Sequence, residues 1–282
     1  MRFGEQTLTD RDGQVLVHLF HSTVSAGRRE YCEHHHTECE LSIFIKGEGV
    51  YQVGEKEYTF QSGDMFLFGS MEPHCITQIK DGIPFDLLNI QFEPRLLWSS
   101  EALPLLNLFN HRSHTFENRI LPTHVKTPLL QRQMLEIEKE FLQDRAGKGL
   151  KIQMDLFGIL LTLLRDYGYV EQVTKQAPRD TPAQLIAAMD YIEAHLSDPI
   201  TLEELARTAA MGRAYFSTMF KKYNGISPWE YITIKRVEKA IRLIKNTDLT
   251  KLEIAAATGL GSQANFYKAF TRVTGKTPKE YK

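Results

Sequence analysis

The chain has 282 residues, 42% of them hydrophobic, with 34 Lys/Arg against 35 Asp/Glu and a formal net charge of −1; that length suffices for two domains with separate cores. Three cysteines (Cys32, Cys39, Cys75) are an odd number and exclude a disulfide framework. No uninterrupted apolar run reaches the ~18 residues of a membrane span and no signal-peptide core opens the chain, so a soluble cytoplasmic protein without a membrane partner is expected.

From residue 1 to about 120 the pattern is one of short strands punctuated by glycine. Leu41, Ile43 and Ile45 stand in alternation, Gly47 and Gly49 offer a turn, and Gly54-Glu55-Lys56 a hairpin. A Gly-Asp turn leads into the apolar run Met65–Phe68, and a loop ends at Pro73-His74. Such strands predict a closed or folded-over antiparallel sheet, a barrel or jelly roll. This part of the chain resembles a cupin. In an extended strand His34, His36 and Glu40 share parity and point to one face, and His74, from a different strand end, closes the group.

These four fall on positions that match the metal ligands of the cupin motifs, which implies a site suited to Mn, Fe, Ni or Zn with an open position. The second motif departs from the cupin pattern: Gly69 and Met71 stand where proline and glycine are usual, and Gln78 replaces asparagine. The same residues also read as a polar cluster that is satisfied by hydrogen bonds or grips ligand hydroxyls. A thiol-containing site using Cys32 and Cys39 is a third reading, without zinc-finger spacing. No cofactor is expected, a divalent metal in the cupin-like part being the alternative. Tyr31, Phe44, Tyr51 and Phe66 are expected to line the barrel with aromatic walls that suit a sugar.

Between roughly Lys126 and Tyr169 the period becomes helical. Leu130, Met134, Ile137 and Phe141 form one apolar stripe, Gly147 and Gly149 interrupt the chain, and LKIQMDLFGILLTLLRDYGY is apolar on most faces. That second segment is expected to be buried on several sides. The polar stretch GYVEQVTKQAPRDTP predicts a linker at 171–180 between a first domain (1–170) and a second (181–282). Thr181-Pro182-Ala183-Gln184 caps a helix that runs to about Leu196, where Ser197-Asp198-Pro199 stops it.

From Ile200 onward one pattern occurs twice. Glu204, Ala206 and Gly212 recur as Glu253, Ala255 and Gly261; Phe216, Phe220, Gly225, Pro228 and Tyr231 recur as Phe266, Phe270, Gly275, Pro278 and Tyr281. Each copy has the outline of a helix-turn-helix. Thr201 with Glu204, Thr250 with Glu253 and Ser227 with Glu230 are S/T-x-x-E capping boxes, and Pro228 takes the first helical position. Ala206 and Ala255 let two helices cross closely, while each phenylalanine pair, one helical turn apart, fills a small core. This part carries 15 Lys/Arg against 7 Asp/Glu, and the rest carries 19 against 28. A basic module joined to an acidic one fits phosphate binding by the C-terminal part alone.

Over its whole length this segment resembles the DNA-binding domain of AraC/XylS-type transcriptional regulators. SPWEYITIKRVEKAIRLIKNTD is similar to that family's linker helix, with Arg236 at its arginine, and GLGSQANFYKAFTRVTGKTPKEY to the signature around the second recognition helix. Leu260 and Thr271 depart from the signature, where phenylalanine and lysine are usual, and Thr218 stands where many members carry a base-reading arginine. The implied fold is α+β: a cupin-like β-barrel or jelly roll with flanking helices, then an all-α domain of two helix-turn-helix motifs joined by a linker helix. The implied function is regulation of transcription on double-stranded DNA, answering a small-molecule effector held in the barrel. Sugars are common effectors among relatives of this architecture.

By position, Ala214, Ser217 and Thr218 face base edges from the first reading helix, and Gln263, Ala264, Asn265 and Lys268 from the second. Arg213, Lys221, Lys222 and Arg272 are assigned to phosphates. The helices of 126–169 either cover the barrel or pair two subunits, and a homodimer is expected because tandem or palindromic sites favour one. No catalytic residue is assigned. Two other classes remain open: a metal-dependent cupin enzyme, and a DNA-binding protein that answers no ligand.

Overall fold

The computed structural model describes residues 6–9, 15–22, 27–28, 36–99, 101–170 and 181–280. Tyr31, Cys32, His34, the expected linker 171–180 and Tyr281 lie outside the described residues. The fold is α+β, with a β-rich unit that takes residues up to 31 and 38–176, and a second unit that takes residues 32–37 and, from 177 onward, the C-terminal helices.

In the first unit the strands are β1 (Gln6–Thr9), β2 (Val15–Ser22), β3 (Gly27–Arg28), β4 (Cys39–Lys46), β5 (Gly49–Val53), β6 (Lys56–Phe60), β7 (Met65–Phe68), β8 (His74–Ile79), β9 (Asp86–Phe92) and β10 (Arg119–Ile120). They form a six-stranded sheet in the order β1-β2-β9-β4-β7-β10 and a four-stranded sheet in the order β3-β8-β5-β6. Neighbours run antiparallel, as the hairpin spacing requires. Val53 pairs with Lys56 across the two-residue turn Gly54-Glu55, where Gly54 takes a φ of 56°. Gly49 has a different reason to be glycine: a β-carbon there would stand 2.0 Å from the Gln78 carbonyl and 2.7 Å from the Phe60 ring.

Strand β4 lies between β9 and β7, and Leu41, Ser42, Ile43 and Phe44 are all buried, so the simple alternation expected of it is lost. Phe44 joins Tyr51, Phe60, Phe66, Phe68, Val53 and Leu87 in one cluster. Phe44, Tyr51 and Phe66, expected as cavity walls, instead pack ring against ring; Phe44 and Phe60 stack with centroids 3.8 Å apart. They are core, held by mutual dispersion contact.

Two 3-10 turns (Pro94–Leu97, Leu103–Leu106) and α1 (Asn107–Asn110) follow β9; no periodic pattern announces them. Helix α2 (Thr127–Phe141) buries Leu130, Met134, Ile137 and Phe141, the stripe read from the sequence. Its Glu138 and the β9 residue Asp86 grip opposite nitrogens of His21, at 2.9 and 2.6 Å. Two carboxylates on one imidazole require both nitrogens protonated. Burial pulls the His21 pKa down, but the two acids outweigh it and the pKa rises. Helix α3 (Lys148–Asp166) corrects the expectation of burial on several sides. It buries Ile152, Leu156, Ile159, Leu160 and Leu163, yet leaves Leu150 65% and Met154 62% exposed.

The second unit holds α4 (Thr181–Ala194), α5 (Leu202–Thr208), α6 (Arg213–Asn224), α7 (Pro228–Asn246), α8 (Lys251–Ala257) and α9 (Gln263–Thr274). Thr201 and Thr250 close complete capping boxes with Glu204 and Glu253. Ser227 supplies only the serine half, accepting from the Glu230 amide at 3.3 Å. Phe216, Phe220, Phe266 and Phe270 are fully buried. Among the described residues no helix is long and apolar enough to cross a membrane.

Candidate functional site

Each motif is a short helix, a turn and a second helix, and the turns close alike. The Met211 amide donates to the Ala206 carbonyl at 2.8 Å, and the Leu260 amide to Ala255 at 3.1 Å. Ala210 (φ 49°) and Gly259 (φ 68°) hold the same left-handed position. One extra residue in the second turn makes Ser262 the cap of α9, its hydroxyl accepting from the Asn265 amide, whereas Gly212 starts α6 without a side-chain cap.

Burial of the phenylalanine face turns the opposite face of each second helix to solvent. On α9, Gln263, Ala264, Asn265 and Lys268 are all exposed, with Thr271 and Arg272 further along. On α6, Ala214 and Thr218 are exposed and Ser217 is half-buried. The Thr218 hydroxyl donates back to the Ala214 carbonyl at 3.0 Å, and Arg213 pairs with Glu203 at 2.5 Å. Lys221 and Lys222 are exposed at the far end of α6. Tyr215 is missing from the sequence-derived set, yet it is 45% exposed on this face. The repeat held the clue, since the offset of fifty residues that aligns Phe216 with Phe266 also aligns Tyr215 with Asn265.

In the β-rich unit, Glu40 from β4 and His74 from β8 bring a carboxylate and an imidazole together, whereas His36 falls in the other unit. The strand-parity argument does not extend to His36, because residues 37–38 bend and β4 begins only at Cys39. Glu40 and His74 are 3% and 1% exposed. Gln91 donates to Glu40 Oε2 at 2.9 Å, and His74 Nδ1–H donates to the Glu72 carbonyl at 2.7 Å. The His74 Nε2 stands 3.7 Å from Glu40 Oε2. The His74 ring stacks on Phe68, centroids 4.1 Å apart. Burial, then the neighbouring Glu40 and Cys75, hold the Tyr51 hydroxyl well above its ordinary pKa.

Beside this group Glu72 accepts from Arg112 (2.8 Å), Asn118 (2.7 Å) and the Gly69 amide (2.7 Å). Burial raises its pKa, but Arg112 and the other donors prevail and keep it low. Met71, at a cupin glycine position, keeps a left-handed φ of 62°. The thiol reading meets an obstacle in Cys39, whose buried sulfur has a pKa pushed up to about 12.

Two family models match the chain: an AraC-like ligand binding domain over residues 17–107 and a helix-turn-helix domain over residues 205–282. The melibiose operon regulatory protein of Escherichia coli K12 is 21% identical over 258 residues, covering 88% of this chain and 82% of its own length. The HTH-type transcriptional activator RhaS of Salmonella arizonae is 26% identical over 266 residues, covering 88% and 86%. The crystal structure of wild-type ToxT from Vibrio cholerae with an unsaturated fatty acid bound superposes with a TM-score of 0.56 at 13% identity, covering 94% of both chains.

Proposed function

The chain belongs to the AraC family of transcriptional regulators, and from that premise we propose that α6 and α9 enter successive major-groove segments of one duplex while the β-rich unit answers a small molecule. The observation that carries this reading is the doubled motif itself, two second helices built on one frame and each turning a face to solvent. Gln263 and Asn265 suit adenine and Lys268 suits guanine. Ala214, Tyr215 and Thr218 form the smaller reading set of α6, with Ser217 at its margin. Lys221, Lys222 and Arg272 hold phosphates, and Arg213 joins them once it leaves Glu203. A regulator of this kind works in the cytoplasm and needs no enzymatic step.

For the effector we propose a sugar, bound by hydroxyls at Glu40, His74 and Gln91. A relative named for the melibiose operon supports that class. A divalent cation held by the Glu40 carboxylate and the His74 imidazole is the alternative, and would supply a fixed positive charge for ligand oxygens. We further propose that the chain pairs as a homodimer through α3, where Leu150, Met154 and Leu161 recur along one exposed side.

Selection of bound duplexes from a random pool, with and without sugars, tests the reading. Expected is one enriched site with two segments roughly a helical turn apart, its recovery altered by the effector. A pool that emerges unenriched overturns the DNA reading; a fatty acid that alone alters recovery overturns the sugar. Met154→Glu is expected to shift the sedimenting species from dimer to monomer.

A further inference from the structure

The two reading helices are useful together only if their separation is fixed. Between α7 and α8 lie just the four residues Thr247–Thr250, a joint about which α8 and α9 could swing. The structure closes that joint from the other side. From the middle of α7, Arg236 Nε donates to the Leu196 carbonyl at 2.8 Å and Nη2 to the Asp198 carbonyl at 2.7 Å. These carbonyls belong to the turn that links α4 to the first motif. Satisfying the carbonyls at a helix end is an ordinary capping duty, and by itself it would say nothing more.

Three further contacts make the turn a junction. The Ser197 hydroxyl donates to the Ala257 carbonyl, the last residue of α8, at 2.7 Å. Lys239, one turn along α7 from Arg236, donates to the same hydroxyl at 2.8 Å. Gly259, in the turn of the second motif, lies so close that a β-carbon would stand 2.5 Å from the Leu196 carbonyl and 3.0 Å from the Arg236 guanidinium carbon. One point thus gathers the lead-in to the first motif, the joining helix, the end of α8 and the second turn.

We propose that Arg236 and Ser197, closed over Gly259, are positioning residues that lock the distance and angle between α6 and α9, so that the protein measures the spacing of two DNA segments as well as reading them. None of the three lies on the reading faces, so their effect passes through α6 and α9. The proposal rests on the two-segment DNA reading above.

The test uses the full chain and the site recovered by selection, with one base pair removed or added between its two segments. Each such change turns the second segment by about a tenth of a turn. The wild-type protein is expected to lose affinity about tenfold per inserted base pair, the order of a mismatched base pair. In Arg236→Met and Ser197→Ala that penalty should fall to about threefold or less, whereas Ser197→Thr, which keeps the hydroxyl, should retain it. A merely structural role would weaken all spacings alike. Ser197 is exposed, so Ser197→Ala keeps the test alive if Arg236→Met fails to fold. Variants that bind with the wild-type spacing profile overturn the junction. A wild-type protein indifferent to spacing overturns the two-segment reading, and the junction falls with it.

Discussion

The two helix-turn-helix copies share a frame and differ in what surrounds it. Their capping boxes, turn closures and phenylalanine pairs match residue for residue. At the left-handed turn position the first copy has Ala210 and the second Gly259. Alanine survives there at some strain, because the strain of a β-carbon at positive φ is only about 1–2 kcal/mol. The second copy has no such option, since the space a β-carbon needs is taken by the Leu196 carbonyl and Arg236. The outer faces differ too. Arg213 and Thr218 of the first copy are tied to Glu203 and Ala214. Gln263 and Lys268 of the second make no side-chain hydrogen bond among the described residues. A repeated fold therefore shows unequal outer faces: on α6 Arg213 and Thr218 are tied to neighbours at the surface, and on α9 Gln263 and Lys268 are not.

That inequality can be pressed hardest at the turns. Gly259→Ala is expected to cost about 3 kcal/mol or more, joining positive-φ strain to a clash with backbone. Ala210→Gly should move stability by no more than about 1 kcal/mol, in the stabilising direction. Urea unfolding of the pair measures both, and equal losses would erase the distinction. At the reading faces, Gln263→Ala should relax discrimination at one base position by about 1–3 kcal/mol, with Thr218→Ala well below that, in competition assays on the selected site. The shared frame predicts equality elsewhere: Thr201→Ala and Thr250→Ala should each cost about 1 kcal/mol.

Two smaller effects follow from charge. Lys221→Ala should weaken all sequences alike and flatten the salt dependence of binding by about one unit of slope. The pH response should have two components of opposite sign. In the helical unit, side-chain and backbone bonds to Thr201 lower the Glu204 pKa, and backbone and side-chain bonds to Thr250 lower that of Glu253. Their contribution is present above the unfolded carboxylate pKa of about 4.3 and is lost as the pH falls through the lowered values. In the β-rich unit the raised His21 pKa has the opposite sign. Its contribution is full below about pH 6.5 and is lost as the pH rises through the raised value. Thermal unfolding from about pH 2 to about pH 8, with His21→Gln as the control, separates the two slopes.

Much of this was written in local sequence. Caps, glycine turns and phenylalanine pairs act over a few residues, so the strings around Thr201, Thr250, Phe216 and Phe266 carried the helical unit almost complete. The α2 stripe was legible for the same reason. Helix α3 was not, since composition counts apolar residues without telling which side a neighbour will cover; Leu150 and Met154 look like Ile152 and Leu156 until the packing is known. Tyr215 escaped because its exposure depends on the roll of α6, which the buried phenylalanines set.

The sequence alone determined the doubled motif and the strand-rich first part. Only the tertiary structure decided that Glu40 and His74 meet from different strands, that the barrel aromatics fill one another's space, and that Ser197, Arg236 and Gly259 converge from positions dozens of residues apart. The reason is range. Hydrogen-bonded turns and helix caps are settled between near neighbours in the chain, whereas burial and convergence depend on which distant surfaces are pressed together when the core closes.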